Sequence, residues 1–139
     1  MPAPHNTIFK IGHINEIDVE ENSIDVVILR MVLQWVPRGK IFATISEIDK
    51  ILKPGGVVWI EDFLGNRPIT SQSRHNKDVY IFKEDHSKYF TCSPRYNEIY
   101  RLVERIIDGE DQQRCNSIIM KYDIRDVYLR KKGAIAQST

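Results

Sequence analysis

Two short apolar runs, Ile24-Asp25-Val26-Val27-Ile28-Leu29 and Val57-Val58-Trp59-Ile60, stand one helix apart in this chain. Neither alternates apolar with polar residues, so neither reads as a strand with one wet face. Continuous runs of this length, rich in β-branched residues, are the pattern of strands covered on both sides in parallel sheets. Between them Ile41, Ile45, Ile48 and Leu52 recur at helical spacing, after a Pro37-Arg38-Gly39 break and before Pro54-Gly55-Gly56. Proline cannot extend that helix and glycine accepts positive φ at little cost, which predicts a helix over Gly39–Leu52 and a sharp return. Strand, helix and strand of these lengths make a βαβ unit with a right-handed crossover, and the expected fold class is α/β.

Composition narrows the class. The chain has 139 residues, 42% hydrophobic and 28% charged, enough for one core in one domain. A formal net charge of +1 gives no strong field toward nucleic acid or an anionic membrane. The basic stretch Arg125–Lys132 reads as a solvated strand edge rather than a binding arm. No apolar run has the length of a spanning helix, and no signal-peptide pattern opens the chain, so a cytoplasmic location is expected. Cys92 and Cys115 are isolated, and His5, His13, His75 and His86 lack ligand spacing, so no metal is expected.

Around the βαβ unit, Thr7–Ile11 is short and β-forming and reads as a further strand. Residues 64–92 form a long polar connection carrying Tyr80, Phe82, Tyr89 and Phe90, whose aromatics argue against plain disorder. Ser93-Pro94 is a helix-opening pair, and Tyr96, Ile99, Leu102, Val103 and Ile106 supply an apolar stripe, which predicts a helix ending at Gly109. Asn116–Tyr122 and Val127–Arg130 read as an antiparallel strand pair closing a sheet edge, followed by a frayed tail over 133–139.

The stretch "NSIDVVILRMVLQWVPRGKIFATISEIDKILKPGGVVWIEDF" resembles the second half of a class I S-adenosylmethionine-dependent methyltransferase of the small-molecule type. Asp25, Leu52, Lys53, Pro54, Gly55, Gly56 and Asp62 match the family's pattern as they stand. The opening "IFKIGHINEIDVEENSID" is similar to the family's preceding strand and loop. The resemblance implies a truncated Rossmann-like sheet with flanking helices, with residues 7–63 as the core region, 64–92 as a substrate-loop-like insertion and 93–132 as the closing elements. It implies an S-adenosylmethionine site of which only part is here. Gly12, His13 and Ile14 would lie near the adenine, with His13 where the family often has an acid, and Arg30, Met31 and Gln34 would follow the first apolar strand. The family's glycine-rich loop and ribose-binding acid should precede Thr7, but only Met1–Asn6 stand there, without a glycine.

In open α/β sheets ligands bind beyond the carboxyl ends of the strands. The Gly-Gly turn lies at the opposite end and is architectural, whereas Glu61 and Asp62 emerge at the ligand end. Asp62 is open to two readings, a general base with a raised pKa or a loop-organising carboxylate. Trp35 likewise lines a pocket or merely packs. The insertion, with His75, Asn76, Tyr80, Lys83, Asp85 and Tyr89, is either a substrate-covering segment with His75 as a catalytic candidate or an ordered surface loop. Methyl transfer itself is chiefly a matter of positioning.

Without the family's first strands, Ile24–Leu29 becomes an open edge with apolar residues on both faces. A homodimer or a partner chain covering it is expected, and Val27→Lys should then disturb assembly. Two functions follow: a methyltransferase-like domain that needs the rest of its cofactor site from elsewhere, or a non-catalytic dimerisation or partner-binding module on the same fold.

Overall fold

The apolar run at Ile24 does form a strand, and its neighbour is the other one. The computed structural model describes residues 6–105 and 113–128. Strand β1 (Ile24–Arg30) leads through two short 3-10 turns, Leu33–Trp35 and Arg38–Lys40, into helix α1 (Ile41–Ile51). Strand β2 (Leu52–Leu64) follows and lies parallel to β1, with Val27 opposite Val58 and Leu29 opposite Ile60. A hairpin of β3 (Ile69–Gln72) and β4 (Tyr80–Lys83) stands apart as a second sheet. Helix α2 (Lys88–Thr91), strand β5 (Tyr96–Arg105) and strand β6 (Gln113–Lys121) complete the elements. The main sheet has the order β1-β2-β6-β5, with β6 antiparallel to both neighbours.

The two glycines of the Lys-Pro-Gly-Gly stretch have different physical reasons. Gly55 adopts φ +84°, a left-handed conformation that side chains resist. Gly56 is crowded instead: a Cβ there would sit 2.8 Å from Leu52 Cδ1 and 2.9 Å from the Asp25 carbonyl oxygen. The stretch lies within the first residues of β2, where the ladder shifts register between Ile24–Leu52 and Val26–Val57, rather than in a separate turn before the strand.

One face of the sheet carries the core. Leu29, Val58, Ile60 and Ile119 point from the strands onto Ile41 and Ile48 of α1, Leu33, and Phe90 of α2. Lys121 is buried on the same side, and its ammonium donates to the Asp49 and Leu52 carbonyls at 2.6 and 2.9 Å, closing the C-terminal end of α1 with a cation. Tyr96 Oη donates to Asp49 at 2.5 Å. The opposite face has no helix against it among the described residues, and Val26, Ile28, Trp59, Tyr100 and Leu102 are exposed there.

Four expectations need correction. Thr7–Ile11 is not a strand: it has no ladder partner among the described residues, and Ile8, Phe9 and Ile11 are exposed. The helix expected after Ser93-Pro94 is the strand β5, whose ladder with β6 is irregular between Glu98 and Tyr100. Residues 124–128 are helical, so Val127 and Tyr128 do not start a strand, while 129–130 and the tail lie outside the described residues. Val27 faces α1 and packs against the core, so a lysine there would strike the interior before any interface.

Candidate functional site

The carboxyl ends of β1 and β2 open into a cavity of about 580 Å³. Met31, Gln34 and Trp35 come from the segment leaving β1, Phe63 from the end of β2, and Ser71–His75, Ile81 and Lys83 from the hairpin that roofs it. The volume lies in the range of small-molecule sites. Two further clefts of about 500 and 640 Å³ lie against Arg67 and Pro68, and neither includes a residue that directly follows β1.

Local geometry fixes the near wall. Met31 takes φ 53° directly after β1, and its N–H donates to the Glu61 carbonyl at 2.7 Å. This sharp change of direction turns the chain across the strand ends. Gln34 is 1% exposed, and its Oε1 accepts the Phe63 N–H at 3.0 Å, binding the 3-10 turn to the end of β2.

A partly buried polar cluster holds the roof in place. Arg38 donates through Nη2 to the Leu33 and Val36 carbonyls at 2.7 and 2.6 Å, pairs through Nη1 with Glu84, and lies 4.3 Å over the Phe82 ring. Glu84 also accepts from Tyr89 Oη at 2.7 Å. His86, with its side chain fully buried, places Nε2 3.1 Å from Arg38 Nη1 and Nδ1 3.1 Å from Asp62 Oδ2. A guanidinium can only donate, so Nε2 is the acceptor and the ring proton sits on Nδ1, toward Asp62. The Nδ1 to Asp62 contact is near but off the line of a well-formed hydrogen bond. Burial pushes the Asp62 pKa upward, opposed by His86 and by the Gln34 and Val32 backbone N–H groups.

The sequence-derived site residues therefore separate. Met31, Gln34 and His75 line the cavity, with Trp35 and Lys83. Asp62 does not line it: its carboxylate lies behind the wall, against His86, and the structure does not bring it together with His75 in one pocket. Arg30 lies outside the cavity, 3.1 Å from Glu61, with its side chain exposed. Gly12 and His13 are exposed in a segment without regular structure, and Ile14 packs against the core. Of the insertion residues, Asn76 organises the hairpin turn, Asp85 pairs with Arg101 at 2.9 Å, and Tyr80 is exposed. Sequence reasoning missed Arg38 and His86 as organisers. Arg38 meets Glu84 and His86 across 46 and 48 residues, which no local pattern reveals.

The described residues do not form a complete seat for S-adenosylmethionine. Met31 and the turn after it supply a wall, but Gly12 and His13 reach no cavity and no acid among the described residues lines this one. No group of histidine, cysteine and acidic residues among the described residues could hold a metal ion. Among them, too, no helix is long and apolar enough to cross a membrane.

Comparison with known proteins agrees with this architecture. Residues 2–60 match the family model described as a methyltransferase domain. O-methyltransferase 3 of Dictyostelium discoideum is 27% identical over 120 residues, a match covering 82% of this chain and 25% of that protein. A S-adenosylmethionine-dependent methyltransferase of Methanosarcina mazei superposes with a TM-score of 0.67 at 15% identity, over 82% of this chain and 66% of the other. The Burkholderia thailandensis 1,6-didemethyltoxoflavin-N1-methyltransferase, solved with 1,6-didemethyltoxoflavin and S-adenosylhomocysteine, superposes with 0.64 at 11% identity, over 79% and 48%. The chain thus spans only part of each relative's length. The fold is that of the class I S-adenosylmethionine-dependent methyltransferases, and the sequence matches support a domain of that type.

Proposed function

We propose that this domain supplies the acceptor side of an S-adenosylmethionine-dependent methyltransferase acting on a small molecule. The carrying observation is the cavity at the carboxyl ends of the parallel pair, walled by Met31, Gln34 and Phe63 and roofed by the hairpin. When bound, S-adenosylmethionine supplies an electrophilic methyl group. This chain's residues orient the acceptor and keep water away from it, which is what in-line transfer requires. Asp62 has the position of an anchor for His86 rather than of a base in reach of the acceptor. Contacts to the methionine and ribose parts of the cofactor come from outside the described residues.

A second reading rests on its own observation. Strand β1 pairs only with β2 among the described residues, and its own side chains Val26 and Ile28, on the uncovered face, are 51% and 60% exposed. An open edge beside an apolar surface favours a module that dimerises or docks a partner chain.

One experiment separates the two: calorimetric titration with S-adenosylhomocysteine over a range of protein concentrations, with mass in solution measured alongside. Weak binding by the monomer that tightens with assembly supports the first reading. Several missing charge-assisted hydrogen bonds, at roughly 1.5–3 kcal/mol each, should lower the monomer's affinity by orders of magnitude. Micromolar binding by the monomer overturns the incomplete site. Absence of binding in every assembly state overturns the methyltransferase reading and leaves the docking module.

A further inference from the structure

We propose that the cavity beneath the hairpin binds a flat, uncharged heteroaromatic ring that presents a hydrogen-bond acceptor to its inner end. The walls are the first observation. Trp35, Phe63, Met31 and Ile81 border a space of about 580 Å³, enough for one or two fused rings. Neither the Trp35 nor the Phe63 ring packs against another aromatic ring among the described residues, so both are open to a planar ligand. Trp35 is 38% exposed and marks the mouth, whereas Gln34, 1% exposed, marks the inner end.

The inner polar groups are the second observation. The Gln34 carbonyl oxygen accepts the Phe63 N–H at 3.0 Å, which fixes the orientation of the amide. Its NH2 donates to no acceptor among the described residues, and it is not one of the buried polar atoms sealed away without a partner, so the cavity reaches it. Ser73 is buried, and its Oγ accepts the His75 and Asn76 N–H groups at 3.2 and 3.4 Å, leaving its hydroxyl hydrogen to donate. Both inner groups therefore offer hydrogens. A hydrocarbon or a donor placed against them leaves them unpaired, whereas a ring nitrogen or carbonyl satisfies them. Ser71, Gln72 and His75 lie nearer the solvent, where water serves them.

Charge is the third observation. No carboxylate lines the cavity among the described residues, and its two strongly basic side chains, Arg74 and Lys83, already have partners of their own. An ion entering this space gives up water without gaining an uncommitted counter-charge, so a neutral ring is favoured.

This ligand's role as methyl acceptor rests on the methyltransferase reading; its binding does not. The test is calorimetric titration of the full chain, without cofactor, with quinoxaline, indole and quinoxaline-2-carboxylate. Quinoxaline carries ring-nitrogen acceptors and no donor, and indole carries an N–H donor and no strong acceptor. Quinoxaline should bind about tenfold more tightly than indole, as one additional buried hydrogen bond predicts, and at least as tightly as its carboxylate. Gln34→Met should bring quinoxaline down to the level of indole and leave indole unchanged. Trp35→Ala should weaken both severalfold. Trp35 is partly exposed, so its variant keeps the test open should Gln34→Met fail to fold, which far-ultraviolet circular dichroism reports. Equal affinity for quinoxaline and indole, preference for indole or for the carboxylate, no binding of any probe, or indifference to either folded variant overturns the proposal. Displacement of bound quinoxaline by S-adenosylhomocysteine gives the space to the cofactor and overturns it too. Quinoxaline binding that persists while S-adenosylhomocysteine fails to bind in every assembly state would sink the methyltransferase reading alone.

Discussion

The two faces of the main sheet have been treated differently. On one, Leu29, Val58, Ile60 and Ile119 disappear beneath α1, Leu33 and Phe90, with Val58 and Ile119 at 0% exposure. On the other, Val26, Ile28, Trp59, Tyr100 and Leu102 stand exposed, relieved only by polar cross-strand links such as Trp59 Nε1 to Asn116 Oδ1 at 3.0 Å and Arg30 to Glu61. The strands are equally apolar on both sides, so the asymmetry comes from what covers them. Among the described residues, α1, Leu33 and Phe90 cover one face only.

The sharpest way to break the comparison is to hollow out each face in turn. Leu33→Ala or Ile48→Ala should cost about 2–5 kcal/mol, whereas Ile28→Ala on the open face should stay within about 0.5 kcal/mol. Urea denaturation of the three variants measures both, and similar losses would mean that the open face is covered in solution. The next largest effect concerns the polar rim of the covered side. His86→Ala removes the partner of buried Asp62 and the acceptor for Arg38, at about 2–3 kcal/mol. Limited proteolysis should then cut the 65–87 region first, and an unchanged cleavage pattern would show that Arg38 and Glu84 hold the roof alone.

Acid should act on the covered side as well. Burial alone would raise the Asp49 pKa, but Tyr96 Oη, Lys121 and Arg95 outweigh it and hold this carboxyl below its ordinary value. Asp85 is likewise lowered: burial is outweighed by Ser87 and Arg101. For both, the folded pKa lies below the unfolded one. Their stabilisation is present above the ordinary aspartate value and is lost as pH falls through the folded values. Asp62 has the opposite sign: its raised pKa favours the folded state at low pH, and that contribution fades as pH rises through the folded value. Denaturation midpoints against pH should fall on the acid side, and Asp49→Asn should flatten that limb. A limb as steep in the variant as in the parent would assign acid loss to other groups. The smallest effect is expected from Ile28→Lys, within about 0.5 kcal/mol on monomer stability. Its informative readout is mass in solution at high concentration, where parent and variant should differ if the open edge is an interface.

What the sequence disclosed follows the range of each interaction. β1, α1 and β2 were legible because adjacent residues carry their signals: apolar runs, a helical repeat and a turn that only glycines can make. Strand β5 was not. Its apolar residues at 96, 99, 102 and 103 imitate a helical stripe because an irregularity between Glu98 and Tyr100 breaks the twofold alternation. Thr7–Ile11 has strand composition but no neighbouring strand, and composition alone cannot supply one. Met31, Gln34 and His75 were named from the sequence and do meet at the cavity. The Arg38–Glu84–His86–Asp62 cluster joins distant segments through side chains that look unremarkable singly.

The position of β6 has a consequence for biosynthesis. This strand, late in the described chain, inserts between β2 and β5, pairing Val58 with Ile119. At roughly 5–20 residues/s, the ribosome takes about 3–12 s to make the intervening segment. Throughout that interval the nascent chain carries β2 with one flank unpaired and its core residues only partly covered. Chaperone dependence during synthesis should therefore be governed by how soon β6 arrives, and lengthening the loop before it should lower yield without altering the finished fold.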